Sequence, residues 1–510
     1  MDSQYLPSNR SQTTASYQTD INALVSMFLS RAQDLNRKVA SETTTGSSII
    51  NALIRFVIGP GLEPKASPEM SRLGWTAEQR SRFVSQAESF FRMYAGSKAI
   101  DFYGREDFNS LQSIAMRNIF NGDVLVHQMY GTEGQGYRPM LQLLSGRWVC
   151  NEMGVEDTKR VTGGVVFDDA GREVGYQIMQ TDCNRLDTYT VKKVDKYNPA
   201  GFEEFRLVLI QPREANQVRG IPWLAPVLQD ILDLEKFKIA HRTKAATQAL
   251  FSAAITSEAD APVQQVSSID RIRSLEMRGG QQEGPLKGEP QNDVQLGAGN
   301  VLSLNPGEHL EMVESKSPMS SYKEFTELEL SQIGGAVSVP YEMMVQRYNS
   351  NFSSSRATIM GAEKTYKVIR EEFASKICTP VWEQVIDWGI RLGEIEAPGY
   401  LEGSDFFRRA VLACSWIGPA AIVLDPTREI NAHIQAIQNN LEPREVATRE
   451  LLQMDFEEVA DMLAHEKETL EGKGLQSAVV NTFNQKAVQQ EDGTDGKEGK
   501  EDKEDGSNEE

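Results

Sequence analysis

Residues 217–226 read Gln-Val-Arg-Gly-Ile-Pro-Trp-Leu-Ala-Pro, and the character of the chain changes there. Pro222 suits the first turn of a helix, where a backbone N–H has no helical partner to lose. Apolar residues then recur at helical spacing, at Leu224, Val227, Ile231, Leu234 and Phe237. This pattern predicts a helix over residues 223–254, which is longer than most helices of compact domains.

The residues before this stretch predict a helix packed beside a sheet. Asp107 can cap a helix that ends at Asn121-Gly122, and an alternating strand follows at 124–130. Turn residues separate further apolar segments that we interpret as strands: 140–144, 164–167, 174–179 and 205–211. The predicted fold class is therefore α+β and rich in helix.

The residues after the long helix form an excursion and then another helix. Residues 256–300 are rich in Gln, Gly and Ser and poor in apolar side chains, so we expect them at the surface. Strand-like segments at 300–304 and 309–313 precede a helix predicted at 320–336.

A second long helix is predicted beyond the polar segment 347–356. Its apolar positions keep helical spacing throughout: Ile359, Ala362, Tyr366, Ile369, Phe373, Ile377, Val381, Val385 and Trp388. We expect a kink at Pro380, which has no N–H to donate, and an end near Gly393.

The chain has 510 residues and a formal charge of −20, from 53 basic and 73 acidic side chains. Ten acidic residues and three lysines lie in 491–510, and we expect an acidic tail at 471–510 to be disordered because it has little apolar surface to bury. The rest of the chain is also acidic. A protein whose main task was to grip nucleic acid would carry a basic surplus, since affinity comes from neutralising phosphates.

Neither secretion nor a membrane span is predicted. The first twenty residues lack the basic flank and apolar run of a signal peptide, and no later segment approaches about 18 apolar residues without a charge. The four cysteines have no metal-binding spacing: Cys150, Cys183, Cys378 and Cys414. We expect reduced thiols in a cytosolic compartment.

No common catalytic or cofactor motif is present, whether G-x-x-x-x-G-K-[ST], G-x-S-x-G, H-E-x-x-H or an EF-hand loop. Asp230, Asp233 and Glu235 could hold a metal ion for cleavage of nucleic acid. However, only one pair of them shares a helix face, and a solvated face that complements the helix dipole explains them better. We predict no cofactor, no metal site and no catalytic residue.

The five histidines lie on separate elements: His127, His241, His309, His433 and His465. Each could serve as an acid or base if the fold brought carboxylates near it. We expect each instead to be a hydrogen-bonded or solvated side chain.

Several segments together resemble the lambda-type phage portal family. The stretch at 217–226, followed by the long helix, is similar to the segment that opens the portal stem. The other matching segments are 31–37 with 59–62, 339–342 with 351–357, and 416–419 with Asp425, Pro426 and Glu429. Their order over residues 25–465 makes the resemblance specific.

The resemblance implies a portal fold with wing, stem, clip and crown, closed into a dodecameric ring through which double-stranded DNA passes. It implies a structural conduit without catalysis. The corresponding segments are a flexible arm at 1–24, the wing at 25–219, a first stem helix at 220–255, the clip at 256–317, a second stem helix at 318–339, a tunnel loop at 340–356, a kinked helix with wing and crown at 357–470, and the acidic tail at 471–510.

The resemblance also implies roles for two polar segments. The tunnel loop would place phosphate-contacting and neutral hydrogen-bonding groups in the channel: Arg347, Asn349, Asn351, Ser353, Ser354 and Arg356. The clip would offer acidic side chains to the packaging motor and later to neck proteins: Glu283, Glu289 and Asp293. Each segment could equally be an ordinary solvated loop.

The implied partners are further copies of the chain, the large terminase subunit, the major capsid and scaffold proteins, head-completion or neck proteins, and weakly held DNA. Assembly in the host cytoplasm and a final position at the capsid portal vertex of the virion follow from the same resemblance. The alternatives are a metal- or carboxylate-dependent enzyme acting on nucleic acid and a ring-forming neck connector. The length of 510 residues disfavours the connector.

Overall fold

The computed structural model describes residues 20–131, 137–181, 189–250, 254–257, 308–311, 319–347, 352–419, 426–452, 454 and 456–473. Its helices are α1 (Ile21–Glu42), α2 (Thr44–Val57), α3 (Met70–Leu73), α4 (Ala77–Ala95), α5 (Phe108–Phe120), α6 (Leu228–Leu250), α7 (Met319–Ala336), α8 (Tyr341–Val345), α9 (Phe352–Phe373), α10 (Thr379–Leu392), α11 (Asp405–Leu412), α12 (Pro426–Gln438), α13 (Arg444–Leu452) and α14 (Phe456–Gly472). Its strands are β1 (Glu63–Ala66), β2 (Val124–Tyr130), β3 (Pro139–Ser145), β4 (Val161–Thr162), β5 (Val165–Phe167), β6 (Glu173–Thr181), β7 (Tyr189–Asp195), β8 (Phe205–Val208), β9 (Ala254–Ser257), β10 (Glu308–Glu311) and β11 (Cys414–Ile417).

The chain divides into two compact units. One is formed by Met1–Ile54 with Ser113–Ile369, and the other by Arg55–Gln112 with Arg370–Glu510. The chain passes between the units within the helices α2, α5 and α9.

The first unit contains two larger antiparallel sheets. One has the order β3-β2-β8, with Val124 of β2 opposite Ser145 of β3, and the other is a β4-β5-β6-β7 meander. Leu125, Val165 and Tyr176 belong to one buried cluster, so β2, β5 and β6 share a core. The α+β class is confirmed, and strand β2 has the predicted bounds.

Helix α5 follows its predicted pattern with one exception. The Asp107 carboxylate accepts a hydrogen bond from the Ser110 N–H at 2.8 Å, and bonding to Ser110 holds the pKa of Asp107 below its ordinary value. Ala115 and Ile119 are buried, but Ile114 is 37% exposed because it lies at the edge of the apolar stripe.

The first predicted stem helix, 220–255, is longer than the observed one. Helix α6 follows a 3₁₀ turn at Ala225–Val227 and ends at Leu250. Strand β9 then pairs with β10, from Ala254 opposite Glu311 to Ser257 opposite Glu308. The local alanine-rich pattern favoured helix, whereas a distant partner strand decided the structure.

The second unit is mainly helical and has an aromatic core. Phe91 of α4 contacts Phe108, Trp382 and Trp416, with ring centroids 5.7, 5.1 and 6.1 Å apart. Strands β1 and β11 form a two-stranded antiparallel sheet.

The second long helix is interrupted close to the predicted kink. A π-helical segment, Ala374–Cys378, joins α9 to α10 immediately before Pro380. Because Pro380 cannot donate a hydrogen bond to the preceding turn, a wider turn fits there. Gly393 ends α10 with a φ of 81°, as predicted.

The predicted boundaries at the two ends need correction. Helix α1 begins at Ile21, which is buried, so the arm predicted at 1–24 is wrong for residues 21–24. Helix α14 extends to Gly472, two residues into the predicted acidic tail. Residues 1–19 and 474–510 lie outside the described residues.

Within the described ranges, no helix combines the length and the apolar character needed to span a bilayer. Three cysteines fall in those ranges, Cys150, Cys378 and Cys414, and all three are free thiols.

Candidate functional site

A buried ion pair lies where β2 begins and the chain enters α6. The side chains of Asp123 and Arg219 are 0% and 6% exposed. Nε and Nη2 of Arg219 donate to the two Asp123 carboxylate oxygens at 2.7 and 3.0 Å. Nη1 donates to the carbonyl oxygens of Val149 and Gly163, both at 2.6 Å. Nη2 also donates to the carbonyl oxygen of Gly146 at 2.7 Å. All five guanidinium donors are therefore used, as a buried cation requires.

The backbone around this pair leaves no space for larger residues. The Gly220 N–H donates to the Asp123 carboxylate at 2.9 Å. A Cβ atom on Gly220 would lie 1.9 Å from the carbonyl oxygen of Gly122, so only glycine fits there. The Trp223 N–H donates to the Phe120 carbonyl oxygen at 3.0 Å. These contacts join the start of α6 to the end of α5.

Helix α1 contributes two asparagines to the same junction. Asn22 Oδ1 accepts from the Val218 N–H at 2.9 Å. Asn36, which is buried, accepts from the Leu224 N–H at 3.3 Å and donates to Asn121 Oδ1 at 3.0 Å. The stretch that opens the long helix is thus held by side chains at both of its ends.

Helices α6 and α7 run antiparallel and pack through aromatic rings. The centroid of Phe237 lies 4.8 Å from that of Phe325 and 5.7 Å from that of Tyr322. The His241 ring lies 4.1 Å from Tyr322. Residue numbers rise along α6 as their partners' numbers fall along α7, which fixes the antiparallel direction.

This helix pair leaves apolar side chains at its surface. Ile239 of α6 is 60% exposed and Leu328 of α7 is 56% exposed. Phe237, the last position of the predicted apolar series, is 36% exposed, whereas Leu224, Val227, Ile231 and Leu234 are buried as predicted. Apolar surface of this kind is available for contact with another helix.

The acidic side chains of α6 form ion pairs and do not gather into a metal site. Lys236 Nζ donates to Asp233 at 2.8 Å, and this hydrogen bond lowers the pKa of Asp233. Lys238 Nζ donates to Glu235 at 2.9 Å. Asp230 and Asp233 are exposed, as expected of a solvated face, whereas the Glu235 side chain is only 22% exposed.

Residues 340–356, predicted as one loop, are helical at both ends. Helix α8 occupies Tyr341–Val345, and Gln346 ends it with a left-handed φ of 54°. Helix α9 begins at Phe352, so a continuous loop over this range is wrong. Three predicted channel residues fall in the first turns of α9: Ser353, Ser354 and Arg356. Serine is favoured at helix starts, which is why a polar composition did not distinguish a loop from a first turn.

The other predicted site residues are only partly placed. Arg347 is exposed and follows α8, with its backbone N–H donating to the Glu342 carbonyl oxygen at 3.2 Å. The remaining predicted residues lie outside the described ranges: Asn349, Asn351, Glu283, Glu289 and Asp293.

A cleft of about 510 Å³ lies beside α7, α8 and α9. Small side chains form much of its wall: Ser331, Gly334, Gly335, Ala357 and Gly361. In the same part of the unit, the Tyr366 hydroxyl donates to the Ser338 carbonyl oxygen at 3.1 Å, and burial raises the pKa of Tyr366. This contact ties α9 to the turn before α8.

His127 is a packed side chain of the first sheet, as predicted. Its ring stacks on Phe205 with centroids 3.9 Å apart, and its Nδ1 lies 3.0 Å from Gln142 Oε1. Burial lowers the pKa of His127.

One group of side chains in the described residues brings its ligand atoms close enough for a metal ion. His433, Glu442 and Glu450 each place one such atom within 4.8 Å of the others. No metal site was predicted there, because the spacing of these residues matches no metal-binding motif.

The ion pair of Asp123 and Arg219 was also missed. Arg219 lies in the stretch that opens the long helix, and the signal in the sequence is a single charge between Val218 and Gly220 in a mostly apolar segment. Its partner is 96 positions away, so no local pattern connects the two.

The sequence of the chain matches the model of one known protein family. Residues 8–370 match the family described as phage portal protein, lambda family. The match covers well over half of the chain, so the chain belongs to the lambda family of phage portal proteins. The resemblance noted in the sequence is confirmed. The comparisons do not support the enzyme alternative.

Two relatives are 22% identical to this chain over 402 residues. They are the portal protein of Escherichia phage N15 and portal protein B of Escherichia phage lambda. Each alignment covers 76% of this chain and 74% of the relative.

Similar solved structures come from gene transfer agent particles. A chain of the native virion has a TM-score of 0.40 and 12% identity, covering 77% of this chain and 99% of that one. A chain of the empty-particle neck, computed with C6 symmetry, has a TM-score of 0.36 and 14% identity, covering 75% and 93%. A chain of the native-particle neck, computed with C12 symmetry, has a TM-score of 0.34 and 12% identity, covering 78% and 95%.

Proposed function

We propose that the chain closes into a dodecameric ring at one vertex of a phage head, where duplex DNA enters during packaging and leaves during ejection. The observation that carries this proposal is the match of residues 8–370 to the lambda portal family. The ring requires two different faces on each subunit, because identical subunits close a ring through heterologous contacts.

Within the ring, we assign the stem to α6 and α7. Their antiparallel packing through Phe237 and Tyr322 supports this assignment, as does the junction that holds the start of α6. Ile239 and Leu328 remain exposed on the pair and offer apolar contacts to a neighbouring subunit.

The clip is assigned to residues 256–317. The pairing of β9 with β10 supports it, because the chain leaves the stem after Ser257 and returns at Glu308, its partner in the sheet. A segment that leaves and re-enters the stem at paired strands could bind the packaging motor without rearranging the stem. Its acidic residues Glu283, Glu289 and Asp293 would attract a basic surface of the large terminase subunit, and later of neck proteins.

The wing is assigned to residues 25–219, the tunnel segment to 340–356, and the rest of wing and crown to 357–470. The wing would contact the capsid and scaffold proteins. Assembly would take place in the host cytoplasm, and the finished ring would lie at the portal vertex of the virion.

Contact with DNA is proposed to be weak. Each cation that neutralises a phosphate strengthens the binding of DNA, and that contact must be broken whenever the DNA slides. An acidic body therefore suits a channel better than a basic one. Arg347 and Arg356 would meet phosphates, while Asn349, Asn351, Ser353 and Ser354 would exchange neutral hydrogen bonds with water.

Electron microscopy of the purified chain tests the ring directly. We expect closed rings with a central hole wide enough for a duplex. A monomer that stays monodisperse under every condition would contradict the proposal. Metal-dependent DNA cleavage that is lost in Asp230→Ala would instead favour the enzyme alternative.

A paired variant tests the stem assignment. Ile239→Asp with Leu328→Asp should shift rings to smaller species while leaving the circular dichroism of the subunit unchanged. Met153→Asp, at a residue that is 55% exposed in a turn, is the matched control and should assemble normally. Normal rings from the paired variant would exclude these side chains from the subunit interface.

A further inference from the structure

We propose that His433, Glu442 and Glu450 bind one divalent transition-metal ion, with Zn²⁺ the best match. The site lies in the second unit, where α12 and α13 meet, and it is independent of the proposed portal function. One ligand atom of each residue lies within 4.8 Å of the other two.

A reversal of the chain brings the three residues together. His433 lies on α12, and Asn440 reverses the chain with a left-handed φ of 56°, a conformation that asparagine tolerates. Glu442 follows in the turn and faces back toward His433. Glu450 lies on α13. The ligands therefore come from both sides of one turn.

An ion pair accounts for two of these residues but leaves the third unexplained. His433 Nδ1 lies 3.0 and 2.9 Å from the two Glu442 oxygens, and the two side chains are 22% and 17% exposed. Glu450 is exposed, and within the described residues it forms no hydrogen bond with either partner. Two carboxylates this close repel each other, more strongly where water is partly excluded, and a divalent cation would neutralise both.

The donor set favours a transition metal over Mg²⁺ or Ca²⁺. One imidazole nitrogen with two carboxylate oxygens suits Zn²⁺ and its neighbours, whereas Mg²⁺ and Ca²⁺ prefer oxygen alone. Three protein ligands leave one tetrahedral position for water. Zinc–ligand distances are about 2.0–2.2 Å, so the side chains must rotate inward, which the exposed Glu450 can do. The bound ion would fasten α12 to α13.

Calorimetric titration of the full-length protein with ZnCl₂ tests the site. The buffer contains millimolar Mg²⁺, which occupies all-oxygen sites such as the acidic tail. We expect one Zn²⁺ per chain at this site and a higher melting temperature when it is bound. Glu450→Gln should weaken the binding by at least about tenfold.

Glu450→Gln decides the question because it disturbs neither His433 nor Glu442. Glu468→Gln, at an exposed glutamate of α14, is the matched control and should bind like the wild type. Wild-type protein that takes up no Zn²⁺ would overturn the site. So would unchanged Zn²⁺ binding in Glu450→Gln or in His433→Gln, because the bound ion would then lie elsewhere in the protein.

Discussion

Arg219 places a positive charge among backbone carbonyl groups that water does not reach, and Asp123 is the anion that balances it. A buried pair of this kind is stable only when both partners are present and every donor is satisfied. Removing one partner leaves the other charged, buried and unpaired. The pair therefore determines how the start of α6 is held against the sheet.

Arg219→Met should lower the free energy of unfolding by about 3–5 kcal/mol, because it leaves the buried Asp123 carboxylate without a cationic partner. Guanidinium denaturation of the dilute chain measures this change. Arg160→Met is the control, because Arg160 and its partner Asp169 are 71% and 85% exposed. An exposed pair contributes less than about 1 kcal/mol. If the two variants lose equal stability, the buried ion pair contributes no more to the free energy of unfolding than the exposed one.

His127 should make the first unit sensitive to acid. Burial lowers its pKa from the ordinary 6.5 and outweighs the opposing effects of Gln142 and Glu204. The unfolded chain then binds this proton at a higher pH than the folded chain. Its contribution to stability is present above about pH 6.5 and is lost as the pH falls below that value.

Melting temperatures at about pH 7.5 and about pH 5.5 check this effect. The wild type should lose more stability on acidification than His127→Gln does, whatever the absolute stability of the variant. His465→Gln, at an exposed histidine, should keep the wild-type difference. Equal pH dependence in all three proteins would contradict the assignment to His127.

At the start of α6, two glycines allow backbones to cross at close range. The turn after α5 and the segment before α6 meet at Gly122 and Gly220, and no side chain fits between them. The direction in which α6 leaves the sheet is therefore set by backbone contact as well as by the ion pair.

Gly220→Ala should prevent correct folding or destabilise the protein severely, because the new Cβ would lie 1.9 Å from the Gly122 carbonyl oxygen. Gly335→Ala is the matched control, since its Cβ would meet nothing within 4 Å and its position is helical. That variant should be neutral or more stable by up to about 1 kcal/mol. Soluble yield and melting temperature distinguish the two, and equal behaviour would argue against a backbone constraint at Gly220.

Across the whole molecule, the net charge supports the proposal that contact with DNA is weak. The chain carries a net charge of −20, so basic side chains near the proposed channel act against an acidic background. The proposed channel segment supplies Arg347 and Arg356. Removing them should affect DNA handling without affecting ring closure.

Arg347→Ala with Arg356→Ala should form normal rings but reduce packaging or retention of DNA, because phosphate contacts in the channel are lost. Particle assembly with a DNA protection assay measures both properties. Arg80→Ala with Arg92→Ala removes the same charge from exposed sites of α4 and should leave DNA handling intact. If assembly, packaging and retention are all unchanged in the first variant, the channel assignment is wrong.

The elements that the sequence predicted well are those with long, regular patterns. Helix α7 matches its prediction to within one residue, β2 has the predicted bounds, and α10 ends at the predicted Gly393. Strand β7 was missed because its residues are mostly polar and partly exposed, and α8 because five residues carry too little periodicity.

The sequence alone determined the helical and strand periodicity, the acidic charge and the order of segments that places the chain in its family. These properties depend on residues close together along the chain or on the order of motifs. The tertiary structure alone decided that Asp123 meets Arg219, that β9 pairs with β10, and that Glu450 comes near His433. Contacts between distant residues depend on how whole elements pack, and no local pattern records that packing.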